Sequence, residues 1–184
     1  MMFGRRALAF GFGVTLALGL SLALPLSGVA SDTQVVELRD DCDPASFNAV
    51  LGPGACVGNG TTTFSEFIAE LQEDKVASDW VFDPDQVTIQ GGDNLTIQNT
   101  GGETHTFTKV TAFGGGLVAP LNVLSGNLVP AVPAPGVNVF ATFVPAGGVT
   151  TVSSAPGGIL TPGQNLFECF IHPWMRAVVT VETD

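Results

Sequence analysis

Val87-Thr88-Ile89-Gln90-Gly91-Gly92-Asp93-Asn94-Leu95-Thr96-Ile97 alternates apolar and polar residues on both sides of a Gly-Gly-Asp-Asn turn. A period of two puts Val87 and Ile89 on one face of a strand, and Leu95 and Ile97 on one face of the next. Two such runs across a short glycine-containing turn read as a β-hairpin. The alternation returns in Thr104-His105-Thr106-Phe107-Thr108, and residues 137–144, 149–153, 165–170 and 177–181 are further strand candidates. About seven short strands, with no helical periodicity after Lys75, predict an all-β sandwich.

Upstream of Trp80 the pattern changes. Phe64, Phe67, Ile68 and Leu71 recur at helical spacing, with Glu66, Glu70, Glu73 and Asp74 on the other side. Thr63 followed by Glu66 is a capping box, so a helix is expected to start there. Asp40-Asp41-Cys42-Asp43-Pro44 and Gly52-Pro53-Gly54 read as turns. Residues 31–78 are too poor in apolar side chains for a core of their own. They are expected to form a small helical extension that caps the main domain, residues 79–184.

Residues 1–30 read as an export signal. Arg5 and Arg6 precede an apolar run from Ala7 to Leu24, and Gly28-Val29-Ala30 offers the small residues of a cleavage site. An uncleaved anchor and a twin-arginine signal are the alternatives. A periplasmic or extracellular location follows, with no membrane span in the mature chain. In that setting the close pair Cys42 and Cys56 reads as a disulfide, leaving Cys169 outside any bridge.

The chain carries seventeen acids against six basic residues, a formal net charge of −11. Beyond the leader the only cations are Arg39, Lys75, Lys109 and Arg176, too scattered to build a basic patch. Nucleic acid is therefore excluded as a partner. An acidic surface keeps an exported protein soluble, and the second reading of it is steering toward a basic partner.

Chemistry concentrates near the end of the chain, in Phe167-Glu168-Cys169-Phe170-Ile171-His172-Pro173-Trp174-Met175. Cys169, His172 and Met175 place a thiolate, an imidazole and a thioether within seven residues. The chain has only two histidines, and its three methionines are Met1, Met2 and Met175. Thiolate and thioether suit Cu(I), and imidazole suits both oxidation states of copper. A further ligand has to come from a separate strand, and His105 is the one remaining histidine. Zinc would favour more Cys or His and no thioether. A hydrolase built on Cys169 and His105 would need an orienting third group and an oxyanion hole, which the sequence does not announce. Gly114-Gly115-Gly116 lacks the Lys and helix of a phosphate loop. Asp83 and Asp85 flank Pro84 without calcium-loop spacing.

From Trp80 to Glu182 the chain resembles the cupredoxins, most closely their plastocyanin and amicyanin branch. The residues that carry this are Phe82-x-Pro84, Val87-Thr88-Ile89, Gly92-Asp93, a strand ending in Asn99, His105 and the closing loop Cys169-x2-His172-Pro173-Trp174-Met175-Arg176. The resemblance implies a Greek-key β-sandwich holding one type 1 copper through His105, Cys169, His172 and Met175. It also implies a monomeric carrier of single electrons between redox proteins, with no enzymatic activity. The ring edge of His172, flanked by Pro173 and Trp174, would be the electron port and docking face. Copper storage, delivery or sensing is the alternative role, and a β-domain with a vestigial site is a third.

Two positions depart from the family pattern. Thr106 stands where these families carry an Asn that ties the ligand loops together. Ile171 replaces a Pro and so retains an N–H that can reach the thiolate. With both histidines used, none is left for a second, catalytic copper, and with one free cysteine no dinuclear centre can form. The Gly- and Pro-rich stretch from Phe113 to Gly136 is too long for an ordinary connection. Its spaced leucines and valines predict an ordered loop.

Overall fold

Both runs of the opening stretch are strands, but they do not pair with each other. In the computed structural model, which describes Met1 and residues 34–183, the order of elements is as follows. β1 (Gln34–Arg39) leads into α1 (Pro44–Leu51) and α2 (Phe64–Asp74), then β2 (Val81–Asp83), β3 (Gln86–Gln90) and β4 (Asn94–Asn99). β5 (His105–Thr106) and β6 (Thr108–Ala112) precede α3 (Ala119–Leu124) and β7 (Val132–Pro133). A 3₁₀ turn (Val139–Ala141), β8 (Phe143–Val144), β9 (Val149–Ser153), β10 (Gly163–Glu168) and β11 (Arg176–Glu182) complete the chain. The expected export signal falls in the stretch outside the described residues. Among the described residues no helix is long and apolar enough to cross a membrane.

One sheet runs β2-β1-β4-β9 and the other β3-β11-β10-β6-β7, with β5 and β8 paired apart. β3 lies parallel to β11, and β4 lies parallel to β1 and antiparallel to β9. The turn at residues 91–93, closed by the Asp93 N–H donating to Gln90 O, therefore carries the chain from one sheet to the other. The predicted hairpin is corrected to an arch. Its cause is the burial pattern: Val87, Ile89, Leu95 and Ile97 are all buried in one core. A hairpin would set the two apolar faces side by side in one sheet, whereas the arch lets them approach from opposite sheets.

Trp80, Phe82, Phe107 and Phe167 sit in that core, with the rings of Phe107 and Phe167 stacked at 4.1 Å. β1 comes from the stretch read as an extension, yet it lies between β2 and β4 and buries Val36 and Leu38. The turn read at Asp43-Pro44 is the start of α1. The Asp43 carboxylate accepts from the Ala45 and Ser46 N–H groups, and Pro44 occupies the first turn, where its missing donor costs nothing. α2 begins as expected, with Thr63 and Glu66 satisfying each other's backbone donors. Cys42 and Cys56 form a disulfide, and Cys169 is free and buried.

The stretch from Phe113 to Gly136 is ordered against the rest of the protein. The Gly115 N–H donates to Val129 O, the Ala131 N–H to Gly115 O, and the Leu117 N–H to Phe170 O at 2.6 Å. A side chain at Gly116 would collide with that same Phe170 carbonyl. The stretch also contains α3, a helix not expected after Lys75; six residues with none buried leave no apolar periodicity to read.

Candidate metal centre

His105 and the Cys169–Met175 loop arrive from different parts of the fold. β10 pairs with β6 and β11, which carries its last residue, Glu168, and then Cys169 to one end of the sandwich. The Cys169 N–H donates to Met175 O and the Met175 N–H to His172 O, closing the loop into a tight turn. His105 lies at the start of β5, after a turn held by Asn99, whose amide donates to Glu103 O and Val144 O and whose Oδ1 accepts from the Gly101 N–H.

The two meet in the interior. Cys169 Sγ lies 3.9 Å from His105 Nδ1 and 3.8 Å from His172 Nδ1, and the two Nδ1 atoms are 3.2 Å apart. His105 and Cys169 are fully buried, and His172 is 2% exposed. Met175, also buried, closes the loop through its backbone.

A carboxylate stands behind each imidazole. His105 Nε2 lies 2.8 Å from Asp40 Oδ2, and both side chains are fully buried. The same carboxylate accepts from the backbone N–H groups of Cys42, Gly102 and Glu103. His172 Nε2 lies 3.5 Å from Glu103 Oε2, which also accepts from Trp80 Nε1 at 2.7 Å. An ionised carboxylate only accepts, so each Nε2 carries a proton, which leaves each Nδ1 facing Sγ as the atom that can hold either a proton or a metal ion. Gly101 and Gly102 make this approach possible. A Cβ on Gly101 would overlap the Asp40 carboxylate, and one on Gly102 would lie 2.7 Å from Cys42 Sγ.

Three donor atoms facing one another repel unless a proton or a metal cation lies among them. A point equidistant from the three is about 2.1 Å from each, the length of a metal–nitrogen bond. The charge balance agrees. Burial alone would depress His172, but its hydrogen bonds with Cys169 and Glu103, and their charges, lift it to about 10. Burial would raise the Cys169 thiol, yet the two imidazoles hold it well below its ordinary value. Asp40, which burial would raise, is held at about 2 by His105 and the backbone N–H groups. Surroundings that draw a proton so strongly onto a buried imidazole equally favour a metal cation. The residues fit one metal ion.

The thiolate is further held by backbone donors. The Thr106 N–H points at Sγ at 3.4 Å and the His172 N–H at 3.5 Å. The retained N–H of Ile171 is not among the donors to Sγ; the neighbouring His172 supplies that bond. Thr106 itself bridges the stretches that carry His105 and Cys169. Its hydroxyl accepts from the Phe170 N–H at 2.8 Å and is itself supported by Thr108, so the two ligand loops are tied.

The expected electron port is closed. The ring of Phe67 meets His172 edge-on at 6.3 Å and Trp174 lies 5.4 Å from it. Trp174 is itself half-buried, its indole N–H donating to Ala77 O. The cover comes from α2, whose apolar stripe is aimed at this end of the sandwich. Glu168, just before Cys169, is fully buried, accepts from the Gly114 N–H, and is pushed by burial to about 7.

Asp40, Glu103 and the cover by Phe67 were not read from the sequence as parts of the site. Asp40 sits in an acidic run indistinguishable from a solvated turn. Glu103 carried a weak signal, two residues before His105.

Fold and site together define a β-sandwich with a buried cluster of one cysteine and two histidines able to hold one metal ion. Among solved structures the chain is similar to a purple cupredoxin from Nitrosopumilus maritimus, with 12% identity, 81% of this chain and 99% of that chain covered, and a TM-score of 0.40. It is likewise similar to the P52G mutant of amicyanin, with 14% identity, coverage of 84% and 87%, and a TM-score of 0.38. No protein-family model and no curated protein matches the sequence.

Proposed function

We propose that His105, Cys169, His172 and Met175 hold one copper ion and that the protein carries single electrons between redox partners in an extracytoplasmic compartment. The observation that carries this is the triangle of two Nδ1 atoms and one Sγ, buried and sized for a single trigonal ion. The thioether of Met175, the only methionine beyond residue 2, selects copper over zinc as the ion that suits the set. A bound copper supplies a one-electron couple.

The chain's own residues do the rest. Asp40 and Glu103 fix the tautomers and ring planes of the imidazoles. Thr106 and His172 N–H groups stabilise the thiolate, and the Phe170–Thr106 hydrogen bond keeps the two ligand loops from moving apart. Ligands held this rigidly change little between oxidation states, so little energy goes into reorganisation. Burial of all three donor groups favours retention of the metal and weighs against a delivery role, in which an acceptor must reach the ligands. Partners would exchange electrons across the aromatic cover of His172, and the acidic surface would steer basic ones.

The test is the absorption spectrum of oxidised, copper-loaded protein. An intense visible thiolate-to-copper band, one copper per chain, and loss of the band in Cys169→Ser are expected. Colour that survives in Cys169→Ser would overturn the assignment.

A further inference from the structure

The N-terminal segment does more than cap the sandwich. Asp40 follows β1 directly and is two residues from Cys42, and its fully buried carboxylate lies 2.8 Å from His105 Nε2. Both oxygens are committed: Oδ1 accepts from the Cys42 and Gly102 N–H groups, and Oδ2 from Glu103 N–H and His105. Such a group cannot swing away or be replaced by water. On the other ligand, Glu103 stands 3.5 Å from His172 Nε2 and is pinned by the Trp80 indole N–H at 2.7 Å. Two negative charges thus sit one imidazole away from the metal-binding triangle, in an interior that screens them weakly.

We propose that Asp40 and Glu103 are positioning residues that set the reduction potential of the centre, biasing it toward the oxidised ion, with Asp40 the stronger of the two. This rests on the copper reading given above. The physical reason is charge. A doubly charged ion with one thiolate leaves a net charge of +1, which two carboxylates favour, and reduction removes that charge while the carboxylates remain. Each carboxylate also accepts the Nε2 proton, which makes the imidazole a better donor to the more highly charged ion. A backbone carbonyl in the same place would hold the ring without supplying the charge. Asp40 is the stronger because its contact with Nε2 is shorter and its burial complete.

Asp40→Asn and Glu103→Gln, with the exposed Glu73→Gln on α2 as a charge control, test this in the copper-loaded full chain by protein-film or mediated potentiometry. Asp40→Asn is expected to raise the potential by at least 59 mV, a tenfold change in the one-electron equilibrium. Glu103→Gln should give a smaller rise of the same sign, and Glu73→Gln no change. The amide that Asp40→Asn introduces would face the Gly102 and Cys42 donors, so circular dichroism checks that this variant folds, and Glu103→Gln decides the matter if it does not. A purely structural role would weaken binding of both oxidation states alike and leave the potential in place. Coloured variants with an unchanged or lowered potential would overturn the proposal alone. A wild-type chain that takes up no copper would remove the copper reading and this proposal together.

Discussion

Truncating Phe67 to Ala tests whether α2 seals the metal-binding end of the sandwich. Phe67 is 2% exposed and lies at the centre of an aromatic cluster. Its ring centroid is 4.6 Å from Trp80, 5.5 Å from Phe47, 6.0 Å from Trp174 and 6.3 Å from His172. α2 has only two fully buried residues, Phe67 and Leu71, so one of its two anchors is lost. Burial of the ring is worth about 2–3 kcal/mol by transfer, and the cavity left among rigid rings adds to it. A total loss of about 3–5 kcal/mol is expected, a large part of the ~5–15 kcal/mol of a typical domain. Urea denaturation followed by fluorescence measures it, with an unchanged m-value showing that the folded state is otherwise the same. Because Phe67 donates nothing to the triangle, the copper-loaded variant should keep its visible band. His172 should become reachable, and reduction by a small hydrophilic reagent should speed up. A loss below about 1 kcal/mol with an unchanged reduction rate would refute the picture of α2 as the cover.

Three further outcomes follow from the packing of the N-terminal segment. Replacing Cys42 and Cys56 by Ala should cost about 2–4 kcal/mol, and, because the Cys42 and Gly102 N–H groups both donate to Asp40, it should shift the visible band; an unshifted band would show that the disulfide does not support His105. Peptide mapping without reduction should recover the Cys42–Cys56 link and leave Cys169 unlinked. In the metal-free protein, Asp40 is held at about 2 against an ordinary 3.8. A depressed carboxylate contributes stability that is present above its unfolded value and is lost as the pH falls through its folded value. About 2 kcal/mol should therefore disappear between pH 4 and 2 in the wild type and not in Asp40→Asn, as read by urea midpoints across that range; parallel profiles would contradict the assignment.

The residues that announce chemistry were legible because the chain uses them so sparingly. With two histidines in the chain and one methionine beyond residue 2, the expected positions His105, His172 and Met175 had no rivals to be confused with. The Cys169–His172–Met175 spacing is local, so loop geometry could be anticipated from the sequence. α2 was legible for the same reason: Thr63 and Glu66 form a capping box within one turn. β9 was recovered at residues 149–153. β1 was not, since Val36 and Leu38 alone are too few to distinguish a central strand from a short extended linker.

Sequence by itself thus determined what depends on neighbours along the chain: the alternation of the strands, the cap of α2, and the spacing of Cys169, His172 and Met175. Tertiary structure decided which strands pair, because the pairing of β3 with β11 and of β4 with β1 depends on two apolar faces finding one core. It also decided the surroundings of the metal-binding triangle. Asp40 reaches His105 across more than sixty residues of sequence, and Phe67 reaches His172 across more than a hundred. No local pattern encodes such contacts. An acid in a turn and an aromatic on a helix look alike whether they face water or a buried imidazole, and only the packing of α2 and the end of β1 against the sandwich assigns them to the site.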